Sequence, residues 1–255
     1  MSMRVSKGIY VIPSLFTSGN IFCGFYALIS AHQGAYSYAA LAILIAIILD
    51  GLDGKVARLT NASSGFGLEY DSLADMISFG VAPAFLVYSW ILKDLERLGL
   101  LAAFLFTLCG SLRLARFNVQ TINTPKPDFA GLPVPAAAGM VASSLILTIE
   151  WPGLGNELKQ ILFLLGSYLL AFLMVSTIRY RSFKHLKLRR KKPFQFLVTL
   201  VLGILVIASI PQIMIFLLFS AYVLSGPAEK IFLSKGVEVS IFLPERIRNR
   251  FRTFR

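Results

Sequence analysis

Charge is scarce in this chain. Asp, Glu, Lys and Arg together supply 15% of its 255 residues, against about 25% in an ordinary soluble domain, which excludes a conventional water-soluble surface. Cysteine is scarcer. Cys23 and Cys109 are the only two, both inside apolar runs, so neither a disulfide framework nor a cysteine zinc site is available. Two histidines, His32 and His185, are too few for a His-rich metal or haem centre. What is abundant is apolar: hydrophobic residues make up 56% of the sequence and mean hydropathy is +0.71. Apolar runs near the length of a bilayer-crossing helix, about 20 residues, recur along most of the chain.

These runs predict an all-α integral membrane protein with about eight spans, near 12–31, 36–58, 68–92, 98–117, 133–150, 158–178, 194–210 and 212–226. The last two meet at Pro211-Gln212 as a C-terminal transmembrane hairpin. Pro13, Thr17, Ser18 and Asn20 interrupt the first run and no small-residue cleavage site closes it, so it reads as a retained span rather than a secretory signal. With the N-terminus placed in the cytoplasm, all but Lys93, Arg97 and Lys159 of the 25 lysines and arginines fall on the cytoplasmic side, as the positive-inside rule requires. An even span count then leaves both termini cytoplasmic. The net charge of +12 follows from this asymmetry, together with attraction of the Lys184–Lys192 run to membrane phospholipid headgroups. No nucleic-acid partner is expected.

Against that background the carboxylates Asp50, Asp53, Asp71 and Asp75 are anomalous. An aspartate at a helix centre in the bilayer costs about 2.5–3.5 kcal/mol on insertion scales and marks function by default. Asp50 and Asp53 are three apart near the end of the second span; Asp71 and Asp75 are four apart near the start of the third. Each spacing keeps its pair on one helical face, and a short loop makes the two helices antiparallel neighbours. Converging carboxylates repel in low dielectric, and hard divalent cations such as Mg²⁺ or Mn²⁺ relieve that repulsion. A two-metal site suits displacement at phosphorus. Gly54 and Ala57 leave the second helix bare enough for a nucleotide, or for close helix packing. Arg58 suits a pyrophosphate, or simply obeys the topology rule. Gly67 opens the third span or is an ordinary loop glycine.

Asp50-Gly51-Leu52-Asp53-Gly54-Lys55-Val56-Ala57-Arg58, then eight residues, Gly67, three, Asp71, three and Asp75 resembles the complete CDP-alcohol phosphotransferase signature DxxDGxxARx8GxxxDxxxD. The resemblance implies a six-helix core, here within residues 1–185. Residues 186–255 would add the basic loop, the C-terminal hairpin and a basic tail. It also implies a homodimer, an active site open to the cytoplasmic face of the cell membrane, and two metal ions on Asp50, Asp53, Asp71 and Asp75. Asp75 would be the base for the acceptor hydroxyl. Gly54 and Arg58 would lie along the CDP moiety, with Ser64 in a loop position that helps hold the nucleotide.

Ile12–Gly24, Ser111–Val119, Phe129–Ala137 and Ser176–Phe183 are similar to the phosphatidylserine synthase branch. The expected reaction is transfer of the phosphatidyl group from CDP-diacylglycerol to L-serine, giving phosphatidylserine and CMP. Arg113 and Arg116, three apart, are candidates for the serine carboxylate, or for lipid phosphate, or simply obey the topology rule. Asn118 either contacts the acceptor or caps the helix. Thr17 and Asn20 either contact the CDP-lipid or hydrogen-bond between helices. Glycerol 3-phosphate is the alternative acceptor within the family. An ion or proton transporter is the alternative of another class, disfavoured because the acids cluster at one depth with no relay towards the outer side. Ester or ether lipid, the physiological ion and the role of the C-terminal region are left open by sequence.

Overall fold

A computed structural model describes residues 11–59, 65–123, 131–151, 153, 155–178, 180 and 209–241. The described residues are helical, with no strand. The helices are α1 (Val11–His32), α2 (Tyr36–Leu59), α3 (Gly65–Asp75), α4 (Ala82–Trp90), α5 (Glu96–Asn123), α6 (Val134–Glu150), α7 (Asn156–Val175) and α8 (Pro211–Ile241). A π-helical turn, Met76–Val81, fuses α3 to α4 into one span, and a 3₁₀ turn, Leu92–Leu95, precedes α5. Among the described residues, five helical stretches are long and apolar enough to cross a membrane: Ser14–His32, Gly65–Trp90, Leu92–Gln120, Asn156–Val175 and Pro211–Lys230. The expected span 194–210 lies outside the described residues but for its last two. Its expected partner, 212–226, is a longer helix than hydropathy indicated, because α8 runs on through Pro227 to Ile241.

α1 and α2 form the most extensive helix pair, and both carry buried small residues, Ala27 and Ala31 on α1 and Ala39, Ala40 and Ala46 on α2. In lipid, where apolar burial drives little association, such residues let backbones approach and gain dispersion energy. The outward faces carry Phe22, Phe25, Ile45, Ile48, Leu165 and Phe172, as a lipid solvent permits. The α1–α2 turn closes on Gly34 in the left-handed region (φ 79). The Ala35 N–H donates back to the Ser30 carbonyl at 2.8 Å, the usual glycine-assisted helix ending.

Two close approaches fix the remaining helices. Gly131 (φ 86) donates its N–H to the Ile178 carbonyl at 2.9 Å, and Leu132 donates to Leu173 at 2.9 Å. The entry to α6 is thereby tied to the end of α7. A Cβ on Gly131 would sit 2.2 Å from the Met174 carbonyl oxygen. On α1, a Cβ on Gly24 would sit 2.7 Å from the Ser78 Cα, so α1 presses directly on the π turn. That contact sets the position of Asp75, three residues upstream of Ser78.

Candidate active site

The acids sit where α2 ends and α3 begins. Asp50, Asp71 and Asp75 each offer a carboxylate oxygen, and these oxygens lie within 4.8 Å of one another. The i, i+4 spacing on α3 aligns Asp71 and Asp75, and the antiparallel return from α2 brings Asp50 to them. Asp75 is buried, while Asp50 and Asp71 are half-buried. Asp53 is buried as well, but it is directed at α1, where the Thr17 hydroxyl donates to its Oδ2. It remains near enough to Asp71 for the two charges to interact.

α1 supplies a polar rail beside these acids. Asn20, fully buried, donates from Nδ2 to Asp75 Oδ1 at 3.4 Å. Its backbone carbonyl accepts from the Ser78 hydroxyl at 2.8 Å. Ser18 Oγ meets Tyr70 OH at 2.9 Å. Thr17 and Asn20, three apart on one face of α1, thus each hold one aspartate. The π turn serves the same arrangement. Such turns insert one residue into the helix and recur at functional sites. Here it re-aims the helix just after Asp75, and Thr107 Oγ1 donates to the Gly80 carbonyl at 3.3 Å.

The remaining candidates divide. Arg113 on α5 is buried, and its guanidinium interacts with the Asp75 charge. Its Nε has no hydrogen-bond partner among the described residues. Arg116 turns the other way and donates from an Nη to the Met174 carbonyl at 3.4 Å, at the electronegative end of α7. Asn118 meets Ser72, with Nδ2 at 3.0 Å from Oγ, and reaches Glu69 Oε2 at 3.4 Å. Gly54 is exposed on α2 and Gly67 half-buried on α3. Ala57 and Arg58 belong to the α2 backbone, but their side chains lie outside what is described, as does the whole of Ser64. Ser72, Ser78 and Tyr222, the last a neighbour of Arg113 on α8, carry no signal in the sequence that singles them out.

Chemically, this is a set of oxygen donors that can hold a metal ion. Hard divalent cations bind oxygen at about 2.0–2.6 Å, so oxygens on opposite sides of one ion stand about 4–5 Å apart. The spacing of Asp50, Asp71 and Asp75 fits that requirement. Without a cation, three carboxylates gathered around a buried position would carry a heavy desolvation and repulsion cost.

The model of the CDP-alcohol phosphatidyltransferase family matches residues 10–175, which contain all four aspartates. The chain is 39% identical over 225 residues to a Helicobacter pylori protein named CDP-diacylglycerol–serine O-phosphatidyltransferase, covering 88% of this chain and 93% of the relative. A Bacillus subtilis protein of the same name is 39% identical over 173 residues, 68% of this chain and 91% of the relative. A Methanothermobacter thermautotrophicus protein named archaetidylserine synthase is 39% identical over 171 residues, 66% of this chain and 69% of its own length. The chain therefore belongs to the CDP-alcohol phosphatidyltransferase family of enzymes, and its acidic cluster lies in the segment that carries the family signature.

Proposed function

We propose that this protein transfers the phosphatidyl group of CDP-diacylglycerol to the hydroxyl of L-serine, forming phosphatidylserine and CMP. The observation that carries the reading is the convergence of Asp50, Asp71 and Asp75 within 4.8 Å. The names of the relatives in Helicobacter pylori and Bacillus subtilis support serine as the acceptor.

In this reading Asp75 takes the proton of the serine hydroxyl as that oxygen bonds to the lipid-linked phosphorus. The bond between phosphorus and the CMP oxygen breaks in line. Burial of Asp75, with Asn20 on its Oδ1, holds the accepting carboxylate in one orientation. Arg58 would receive the CDP pyrophosphate, and Gly54, Ala57, Gly67 and Ser64 would contribute to binding the rest of the CDP-lipid. Arg113, Arg116 and Asn118 are the candidates for the acceptor end, Arg113 being the one near the Asp75 charge, whereas Arg116 is held by the Met174 carbonyl. Asp50, Asp53, Asp71 and Asp75 would hold two Mg²⁺ or Mn²⁺ ions, which supply neutralisation of phosphoryl charge and steadying of the leaving oxygen. Thr17 and Asn20 serve this set by fixing Asp53 and Asp75; a contact of either with the CDP-lipid would be additional. The enzyme works as a homodimer of eight-span protomers, with both termini and the active site on the cytoplasmic side of the cell membrane.

The test is incubation of purified protein with CDP-diacylglycerol, Mn²⁺ or Mg²⁺ and radiolabelled L-serine. Labelled phosphatidylserine and CMP should appear one for one. Transfer to glycerol 3-phosphate without any to serine would overturn the acceptor. Aspartate-dependent ion flux in liposomes without CMP release would overturn the enzymatic reading itself.

A further inference from the structure

The end of the bundle remote from the acids holds a cavity that the proposed reaction does not use. It occupies about 210 Å³ between α2, α6 and α8. Ser37, exposed in the first turn of α2, lines it. Asp50 lies 13 residues further along that helix, about 20 Å away at the rise of an α-helix. The exposed Glu150 at the end of α6 and Gln212 at the start of α8 complete the polar part of the lining. The half-buried Leu44, Ile146 and Ile215 make an apolar wall. In the orientation proposed above, this end of the bundle lies in the outer leaflet.

Two contacts join α6 to α8, one on either side of this gap. Phe219 packs so closely on Gly139 that a Cβ there would sit 2.2 Å from the Phe219 Cζ. Gln212 donates from Nε2 to Glu150 Oε1 at 3.0 Å. The third wall is anchored elsewhere, since Tyr36 OH donates to the Ser89 carbonyl at 3.2 Å and ties the start of α2 to the end of α4. Packed interiors keep few voids larger than a water molecule, and apolar cavities hold water poorly. The space is also smaller than the roughly 300–1,000 Å³ of a self-contained ligand pocket. It suits one part of an amphiphile whose remainder lies in the bilayer.

Glu150 is the only charged residue among those lining the cavity, so charge complementarity favours a cation there. We propose that the cavity binds a phospholipid with a primary ammonium headgroup. The ammonium pairs with the Glu150 carboxylate, and one acyl chain runs along Leu44, Ile146 and Ile215. A primary ammonium carries three hydrogen-bond donors, which the Ser37 hydroxyl and the Gln212 amide oxygen are placed to share with Glu150. A quaternary ammonium has no such donors, and a purely anionic headgroup would be repelled by Glu150. A lipid held there joins α6 and α8 to α2, the helix that carries Asp50 and Asp53.

The experiment is native mass spectrometry of the full chain, stripped of lipid in detergent. It is then given phosphatidylethanolamine, phosphatidylcholine or phosphatidylglycerol with the same acyl chains. The wild type should retain phosphatidylethanolamine about three- to fivefold better than the other two, the discrimination expected of one partly exposed ion pair. Its melting temperature should rise with that lipid. Glu150→Gln keeps an acceptor for Gln212 but removes the charge, and should retain the three lipids equally. Ile215→Trp should fill the cavity and abolish the melting shift. Should that variant fail to fold, Glu150→Gln carries the test alone. Equal retention of the three lipids by the wild type, or an undiminished preference in Glu150→Gln, overturns the proposal. So does an Ile215→Trp protein that loses its dimer and keeps its lipid, which would assign the cavity to a second copy of the chain. None of these readouts needs turnover, so the proposed reaction stands or falls separately.

Discussion

Asn20 Nδ2 lies 3.4 Å from Asp75 Oδ1, across the contact between α1 and the third span, with both side chains buried. The bond engages one of the two carboxylate oxygens. In metal sites and acid–base sites alike, a neighbour that fixes the working carboxylate controls its geometry. Replacing Asn20 by Leu should therefore lower kcat by roughly 10–100-fold with little change in the KM for CDP-diacylglycerol. Steady-state kinetics with CDP-diacylglycerol varied at saturating serine would show it. A rise in the KM for CDP-diacylglycerol with kcat intact would mean that Asn20 contacts the lipid nucleotide instead.

Thr17 holds Asp53 as Asn20 holds Asp75. Thr17→Val keeps the shape and removes the hydroxyl. The expected outcome is a higher Mn²⁺ concentration for half-maximal activity, by about tenfold, with the maximal rate largely recovered at saturating metal. An activation curve superimposable on that of the wild type would separate Asp53 from metal binding.

Much of this arrangement is legible in the sequence, and what is not has physical reasons. The i, i+4 spacing of Asp71 and Asp75 and the short link back to α2 are enough to predict that acids converge. They do not predict that Asp53 turns to Thr17, because spacing fixes a helical face and not which neighbour approaches it. Arg113 and Arg116 likewise share a face yet part company, since α7 ends beside one and Asp75 lies beside the other. The π turn at Met76–Val81 leaves no periodic trace; it lies where Gly24 of α1 closely approaches Ser78. Hydropathy places α8 well but ends it too early, because past Lys230 the helix runs on through a stretch that contains Lys235 and Glu238.

Gly131 offers a test of the scaffold apart from the chemistry. Its positive φ and the nearby Met174 oxygen both oppose a side chain. Gly131→Ala should destabilise by about 1–3 kcal/mol, seen as a lower melting temperature in detergent. Gly166→Ala, where a Cβ would meet nothing within 4 Å, should leave melting unchanged or slightly higher.

Asp75→Asn preserves size and the possibility of a bond to Asn20 while removing the proposed base. CDP-diacylglycerol should still bind, as followed by equilibrium binding of the labelled lipid, while turnover falls by roughly 10²–10⁴-fold. Near-normal turnover would remove Asp75 from the proton-transfer role.

The most direct measurement titrates Mn²⁺ into chelator-treated protein in the presence of CDP-diacylglycerol, following bound ion by electron paramagnetic resonance and product in the same samples. Ion binding and phosphatidylserine synthesis should rise together in the wild type, and both should be lost in Asp71→Asn. Synthesis that continues in chelator, or Mn²⁺ that binds Asp71→Asn as tightly as the wild type, would contradict a metal site built from Asp50, Asp71 and Asp75.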